Sequence, residues 1–173
     1  MFIRSERLML RPIFPEDWRE IFHGIADESI VRMLARAPWP YTADHARTYC
    51  SRRRDPGEMQ FVITLPGDTG APVIGAIGLE AEQAGKPLQL GYWIARAWQG
   101  QGYITEAVAA VLQTARALGV QRAEAGHFED NPASGRVLMK CGFVPTGDSV
   151  PAACAGRGGE LVGVRRYVAK LAA

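Results

Sequence analysis

The stretch that decides the fold of this chain is Trp98-Gln99-Gly100-Gln101-Gly102-Tyr103-Ile104-Thr105-Glu106-Ala107. It follows a strand-like run at 88–95 and opens a helix-like run that lasts to Leu118. A glycine-rich turn between a strand and a helix N-terminus exposes several backbone N–H groups in one concavity, and such a concavity attracts phosphate or pyrophosphate. The stretch therefore predicts that the chain holds a phosphorylated cofactor.

Two common phosphate-binding loops do not match this turn. A dinucleotide-binding fold places G-x-G-x-x-G near its first strand, whereas this turn lies past the midpoint of the chain and lacks the third glycine. A P-loop needs Gly-Lys-Ser/Thr, which the turn does not contain. Taken alone, the turn also fits a purely structural connection between a strand and a helix.

Length and composition restrict the class of protein. The 173 residues predict a single domain, 1–173, large enough to bury a core, with 47% hydrophobic and 22% charged residues. A net charge of +2 favours neither nucleic acid nor an anionic surface as partner, and the basic run at 52–54 is typical of a solvated helix end. Residues 1–11 lack the apolar core of a signal peptide, so we expect a cytoplasmic protein with no membrane segment. Because Cys50, Cys141 and Cys154 have no metal-ligand spacing, we expect free thiols and no metal.

Hydrophobic periodicity predicts alternating strands and helices, with helices on both faces of a mixed sheet. The predicted strands are 6–11, 59–65, 73–82, 88–95, 120–128, 143–146 and 161–171. The predicted helices begin at Pro15, near Ser29, after Thr42, after Gly102 and after Asn131. Because 151–159 is rich in glycine, proline and small residues, we expect a mobile loop there.

The order of these motifs resembles the GCN5-related N-acetyltransferase (GNAT) superfamily, and most of all its ribosomal-protein N-terminal acetyltransferase branch. The segments that carry the resemblance are Ser5-Glu6-Arg7-Leu8-Met9-Leu10-Arg11-Pro12, Leu90-Gly91-Tyr92-Trp93, Gln99-Gly100-Gln101-Gly102-Tyr103-Ile104-Thr105-Glu106-Ala107, Asn131-Pro132-Ala133-Ser134 and Gly142-Phe143. They span nearly the whole chain and are densest between Leu90 and Phe143.

The resemblance implies an α/β (α+β) fold with a mixed six- or seven-stranded sheet whose central parallel strands, here 88–95 and 120–128, splay apart around acetyl-CoA. Backbone groups of Ile94 and Ala95 would pair with the pantetheine arm. The N–H groups that would hold the pyrophosphate are those of Gln99, Gly100, Gln101, Gly102, Tyr103, Ile104 and Thr105. Relatives usually have glycine or alanine where this chain has Ile104, so a narrower approach for the cofactor is one expectation.

The same resemblance implies which groups serve the chemistry. An amine attacks the thioester, and the reaction needs a neutral amine, a stabilised oxyanion and a protonated leaving thiolate. Ser134 matches the serine that is thought to protonate the thiolate, and Asn131 matches a contact to the pantetheine. Both residues also suit the start of a helix, Asn131 as N-cap and Ser134 three positions later, so a structural role stays open.

The general base is not identified by the motifs. Many relatives have glutamate where this chain has Gln89, and an amide cannot accept the proton. Glu80, Glu82 and His127 are the candidates, and Glu80 is the preferred one. A water relay would also suffice for an α-amine, and we hypothesise that no single side chain is essential as base.

Aromatic residues indicate the acceptor site. We expect Trp39, Tyr41 and Tyr92 to contact the acceptor, with Trp93 on the opposite face of its strand from Tyr92. The resemblance favours a protein N-terminal α-amine as the acceptor. Alternatives are a small amine, such as an amino acid, polyamine or antibiotic, or a CoA-binding sensor without turnover, which Gln89 and Ile104 suggest. A homodimer is common among relatives and stays open.

Overall fold

The computed structural model describes residues 1–54, 58–81 and 86–171. The helices are Trp18–Ile25 (α1), Glu28–Val31 (α2), Ala43–Ser51 (α3), Tyr103–Ala117 (α4) and Pro132–Lys140 (α5). The strands are Ile3–Arg4 (β1), Met9–Pro12 (β2), Met59–Thr64 (β3), Val73–Ala81 (β4), Leu88–Ile94 (β5), Arg122–Phe128 (β6), Val144–Cys154 (β7) and Glu160–Lys170 (β8).

The strands form one mixed sheet of eight strands in the order β1-β2-β3-β4-β5-β6-β8-β7. The sheet has one strand more than the six or seven expected, because Ile3–Arg4 adds a short edge strand beside β2. Neighbouring strands are antiparallel except β5 and β6, which are parallel. The expected mixed sheet is therefore confirmed.

The two parallel strands pair over only three residues. Leu88, Gln89 and Leu90 lie opposite 123–125, whereas β5 continues to Ile94 and β6 to Phe128 without further pairing between them. Strand β6 stays paired to β8 as far as Phe128, so β6 keeps its place in the sheet while it leaves β5. A slot thus opens between β5 and β6 beyond Leu90, and the predicted splay is confirmed.

Helices cover both faces of the sheet, as expected. On one face, α4 buries a stripe at helical spacing, and Leu138 of α5 joins the same core. The members of the α4 stripe are Ile104, Ala107, Val108, Val111, Leu112 and Ala115. On the other face, α1, α2 and α3 contribute to a second core that includes Ile21, Val31 and Trp93. The slot lies between these two layers.

The segment 151–159 corrects a sequence prediction. Instead of a mobile loop after a short strand, β7 runs to Cys154 and pairs with β8, with Val150 opposite Val164 and Cys154 opposite Glu160. Strand β7 is almost wholly exposed, so it lacks the alternation of apolar and polar residues by which strands are recognised. Backbone pairing with β8 holds it in place of side-chain burial.

Within the described ranges, no helix combines the length and the apolar character needed to cross a membrane. The same ranges contain no cluster of three or more His, Cys, Asp or Glu side chains placed to hold a metal ion.

Candidate active site

The turn before α4 presents unpaired backbone N–H groups at one end of the slot. Gly100 and Gly102 have φ of 75° and 81°, a region that favours glycine, and they curl the chain into the helix. The Gln99 N–H, which was predicted to belong to the site, already donates to the Arg96 carbonyl at 3.3 Å, and the next N–H with an acceptor is that of Glu106, which bonds the Gly102 carbonyl at 3.1 Å. Among the described residues, nothing accepts from the N–H groups of 100–105. These groups and the helix dipole form a site suited to an anion.

A set of hydrogen bonds between this turn and the N-terminal segment was not predicted from the sequence. The Glu106 carboxylate accepts from the Ser5 hydroxyl at 2.7 Å, from the Arg7 backbone N–H at 2.7 Å and from Arg7 Nε at 2.8 Å. Arg7 Nη1 also donates to the Gln101 carbonyl at 3.1 Å, and its guanidinium lies 4.5 Å from the centre of the Tyr103 ring. Burial opposes ionisation of Glu106, but the hydrogen bonds from Arg7 and Ser5 outweigh it and lower the pKa. The only signal in the sequence was that both segments carry the family resemblance.

The free edge of β5 is formed by Tyr92 and Ile94. The Ala95 N–H donates to the Ile74 carbonyl of β4 at 2.9 Å, and the Ala95 carbonyl accepts from the Trp98 N–H at 2.9 Å. Since bonded residues alternate along an antiparallel pair, the backbone groups of Tyr92 and Ile94 point away from β4 and into the slot. Both backbone groups of Ala95 are thus engaged within the chain, which corrects its predicted role, whereas the groups of Ile94 and of Tyr92 face the slot, where they can pair with a ligand.

Ser134 and Tyr92 meet across the slot. The Tyr92 hydroxyl lies 2.8 Å from Ser134 Oγ and donates to the Ser134 carbonyl at 3.3 Å. Burial raises the pKa of Tyr92 to about 12, so its hydroxyl stays protonated at neutral pH. Tyr92 also lines the cavity described below, and its predicted contact with the acceptor stays a prediction.

Asn131 and Ser134 also perform the structural role that the sequence allowed. Asn131 Oδ1 accepts from the Ser134 N–H at 3.4 Å, which makes Asn131 the N-cap of α5. The Ser134 N–H thus serves the helix, whereas its hydroxyl points to Tyr92. Capping by Asn131 positions the Ser134 hydroxyl at the slot.

Glu80 is held in a network that makes it a poor base. One carboxylate oxygen accepts from Arg36, and the other accepts from Arg52 at 2.9 Å and from Gln60. Burial alone would raise the pKa of Glu80, but the hydrogen bonds and positive charges of Arg36 and Arg52 lower it. Glu80 is therefore an ionised structural anchor, and the prediction of Glu80 as base has no support in this geometry.

His127, the second base candidate, is bonded through both of its ring nitrogens. His127 is buried, with Nδ1 2.7 Å from the Phe128 carbonyl and Nε2 3.1 Å from the Tyr167 hydroxyl. Because a carbonyl only accepts, Nδ1 carries the proton and Nε2 accepts from Tyr167. Glu82 lies outside the described residues.

One cavity of about 1450 Å³ runs through the slot and continues toward the acceptor side. Most of the predicted site residues line it, including Ser134, Glu80 and Asn131. Tyr41 lines it as well, and burial raises the pKa of Tyr41 to about 12. Trp39 does not line the cavity in the described part of the chain, so the structure separates the two aromatic residues that were predicted together.

The β7–β8 connection is hydrogen-bonded to the segment 32–35 that follows α2, on the side of the cavity where we expect the acceptor. The Ala155 N–H donates to the Ala35 carbonyl at 2.9 Å, and Arg157 Nε donates to the Arg32 carbonyl at 2.8 Å. Arg157 also forms an ion pair with Asp130 at 2.9 Å. These contacts tie the β7–β8 connection to the segment after α2 and to Asp130.

The geometry defines a protein class. A sheet whose parallel strands part around a slot, with an anion site where the next helix begins, is the arrangement expected from the resemblance. Residues 7–144 match the family model described as an acetyltransferase (GNAT) domain. Since this range is most of the chain, the protein belongs to the GNAT family of acetyltransferases.

Solved structures agree with this assignment. A GNAT-family acetyltransferase from Bacillus anthracis superposes with a TM-score of 0.83 at 22% identity, covering 99% of each chain. A spermidine N-acetyltransferase from Vibrio cholerae, in complex with CoA and spermine, gives 0.78 at 21% identity over 96% of this chain and 97% of that one.

A ribosomal-protein-S5-alanine acetyltransferase from Vibrio fischeri gives 0.78 at 16% identity, covering 98% of this chain and 96% of that one. At such identities the similarity shows the fold alone. No curated protein matches the sequence.

Proposed function

We propose that this protein transfers an acetyl group from acetyl-CoA to a primary amine, with a protein N-terminal α-amine as the favoured acceptor. The observation that carries the proposal is the slot between β5 and β6, which has an anion site at one end and two hydroxyl groups within it. Family membership and the CoA bound by the spermidine N-acetyltransferase support the choice of cofactor.

The donor groups of the slot fit this cofactor. The unpaired N–H groups of 100–105 suit a diphosphate, and the free backbone groups of Tyr92 and Ile94 suit the amides of pantetheine. Ile104 packs into the first core, so its N–H stays at the start of α4 while its side chain points largely inward. Asn131 lines the same cavity and caps α5.

Acetyl-CoA supplies the activated acetyl thioester, and the chain supplies proton transfer. When the amine nitrogen bonds to the carbonyl carbon and the carbon–sulfur bond breaks, the departing sulfur needs a proton. Ser134 Oγ is placed to donate that proton, and the Tyr92 hydroxyl 2.8 Å away is placed to replace it. The amine nitrogen loses one proton to solvent as the amide forms, and solvent returns one proton to Tyr92. Because the pKa of Tyr92 is raised to about 12, Tyr92 remains a proton donor at neutral pH.

The acceptor must arrive as a neutral amine, and Glu80, the preferred base candidate, is not free to remove its proton. Glu80 is ionised and fully engaged by Arg36, Arg52 and Gln60. An α-amine has an ordinary pKa near about 8 and is partly neutral at pH 7, whereas a lysine near about 10.4 is not. With Glu80 engaged in this way, an α-amine is favoured over a lysine side chain as the acceptor.

The charges of the cavity favour the same acceptor over a polyamine. Of the carboxylates that line its described part, Glu80 is paired with Arg36 and Arg52, and Glu124 is paired with Arg122 at 2.7 Å. Only Asp148 lines the cavity without such a pair among the described residues. A polycation would need several free carboxylates. A flexible N-terminus or a small amine therefore fits this cavity better.

The proposal is tested by release of free CoA thiol from acetyl-CoA with a panel of acceptors. The panel contains a short peptide with a free N-terminus, the same peptide Nα-blocked with an internal lysine, spermidine and single amino acids, with mass spectrometry of the products. We expect the free N-terminus to give the highest kcat/KM. Release that depends on spermidine or an amino acid instead would assign a small amine. Tight CoA binding with no amine-dependent release would identify a sensor.

A further inference from the structure

Two segments of the sequence that are far apart meet behind the anion site. Residues 5–7 precede β2, and Glu106 lies in the first turn of α4, 99 positions after Arg7. Arg7 contacts the second segment in four ways: through its backbone N–H, through Nε, through Nη1 to Gln101 and through the face of Tyr103. Arg7 lines the outer side of the turn, and none of these contacts uses the N–H groups of 100–105.

Glu106 poses an electrostatic problem for an anion site. A carboxylate in the first turn of a helix stabilises that helix end, but it also repels a diphosphate bound to the same N–H groups. Arg7 neutralises this carboxylate at 2.8 Å with charge-assisted hydrogen bonds. The pair is therefore close to neutral, and the positive end of the helix dipole remains available to the ligand.

We propose that Arg7 is a positioning residue of the diphosphate site, which neutralises Glu106 and holds the turn through the Gln101 carbonyl and the Tyr103 ring. The inference rests on the proposed function insofar as the ligand is the diphosphate of acetyl-CoA. The N-terminal segment 5–7 would thus support the diphosphate site in addition to its place in the fold. Arg7 acts through Glu106 and the turn and need not touch the ligand.

The decisive experiment compares two acetyl donors. Acetyl-CoA carries the diphosphate, whereas S-acetylpantetheine carries the same thioester and pantetheine without it. In Arg7→Met, the Glu106 carboxylate keeps its bonds to the Ser5 hydroxyl and the residue-7 N–H but loses its cationic partner. Its negative charge then repels a diphosphate bound at the same helix end, so we expect KM for acetyl-CoA to rise about tenfold at low salt with kcat little changed. The kcat/KM for S-acetylpantetheine should stay as in the wild type, and the loss with acetyl-CoA should diminish at high salt.

A second variant tests the electrostatic cause. Arg7→Met combined with Glu106→Gln removes the unpaired charge, so it should recover most of the affinity for acetyl-CoA. Arg7→Lys keeps the positive charge and should lose less affinity than Arg7→Met. The matched control is Arg47→Met, because Arg47 also pairs with a carboxylate, Asp44 at 2.7 Å, and stacks on an aromatic ring, Trp18 at 4.0 Å.

Thermal unfolding of each variant separates misfolding from loss of affinity. Equal losses with both donors would show that Arg7 only supports the fold, and an unchanged KM would also overturn the proposal. If the wild type releases no thiol with any amine, the proposed function fails, but calorimetric affinities for CoA and pantetheine still test Arg7. If Arg7→Met does not fold, Arg7→Lys and the double variant carry the same comparison.

Discussion

Removal of the Ser134 hydroxyl tests the proton-transfer step most directly. If Ser134 protonates the departing sulfur, Ser134→Ala should lower kcat by about a hundredfold, the low end of the range for general acid catalysis. The backbone N–H that bonds Asn131 remains in this variant, so the start of α5 is preserved. We expect a small change in thermal stability and a large change in rate.

Tyr92 should contribute through Ser134 and not independently. Tyr92→Phe removes the contact of 2.8 Å to Ser134 Oγ and the weaker one of 3.3 Å to the Ser134 carbonyl, and it leaves the ring packed on the first core. A neutral hydrogen bond contributes about 1 kcal/mol, and about 1.4 kcal/mol corresponds to a tenfold rate, so kcat should fall about fivefold. In the Ser134→Ala background, Tyr92→Phe should have almost no further effect.

Thiol release at saturating amine measures this double-mutant cycle. Donors with a more acidic leaving thiol need less protonation, so they should restore the rate of Ser134→Ala more than that of the wild type. Tyr167→Phe is the matched control, because it removes a buried tyrosine hydroxyl bonded to His127 at 3.1 Å without contact to Ser134. Wild-type kcat in Ser134→Ala, or fully additive losses in the double variant, would refute the relay.

Three further predictions concern the acceptor side and the turn. Glu80→Gln should keep most of kcat, because we expect that Glu80 does not act as the base. The variant should be less stable to heat at neutral pH, where the wild-type carboxylate is ionised and bonded to its partners. Since the folded pKa of Glu80 is lowered, this stability difference should vanish as the pH falls through that pKa. Near-complete loss of activity across the pH–rate profile of Glu80→Gln would contradict this. Gly102→Asp should weaken CoA binding at least tenfold more than Gly102→Ala. Both variants share the backbone strain of φ 81°, and only aspartate adds a negative charge beside the proposed diphosphate site. Equal affinities of the two variants for CoA by calorimetry would place the diphosphate elsewhere. Gly156→Ala puts a Cβ 2.5 Å from the Val31 carbonyl oxygen, so it should lower the free energy of unfolding by about 1–3 kcal/mol. The clash should also push the β7–β8 connection away from α2, so the variant should accept bulkier amines. The control Gly67→Ala, whose Cβ meets nothing within 4 Å, should have neither effect.

Some of the candidate site could be predicted because its signals are local. The turn at 99–105 follows from glycines between a strand and a helical stripe, and Asn131 followed by Pro132 marks a helix start within four residues. Such signals depend on backbone conformation over one or two turns. Periodicity is equally local, which explains why the strands and the helix layers were predicted, whereas the splay of the two central strands was implied by the family resemblance.

Other parts could not be predicted because they depend on partners far along the chain. Glu80 looks like a free carboxylate in the sequence, and only the fold brings Arg36 and Arg52 to it. The pairing of Tyr92 with Ser134 spans 42 positions. Strand β7 has no buried face, so its pairing with β8 leaves no periodic pattern to recognise.

The amino-acid sequence by itself indicated the family through its motifs, and it predicted the glycine turn and the strands that form the slot, because glycine positions and hydrophobic spacing act over short distances. The tertiary structure decided which groups act in that slot: it engaged Glu80, joined Tyr92 to Ser134 and placed Arg7 against Glu106. The physical reason is that hydrogen bonds and ion pairs act only within a few ångströms, and residues distant in sequence reach that range only after the chain has folded.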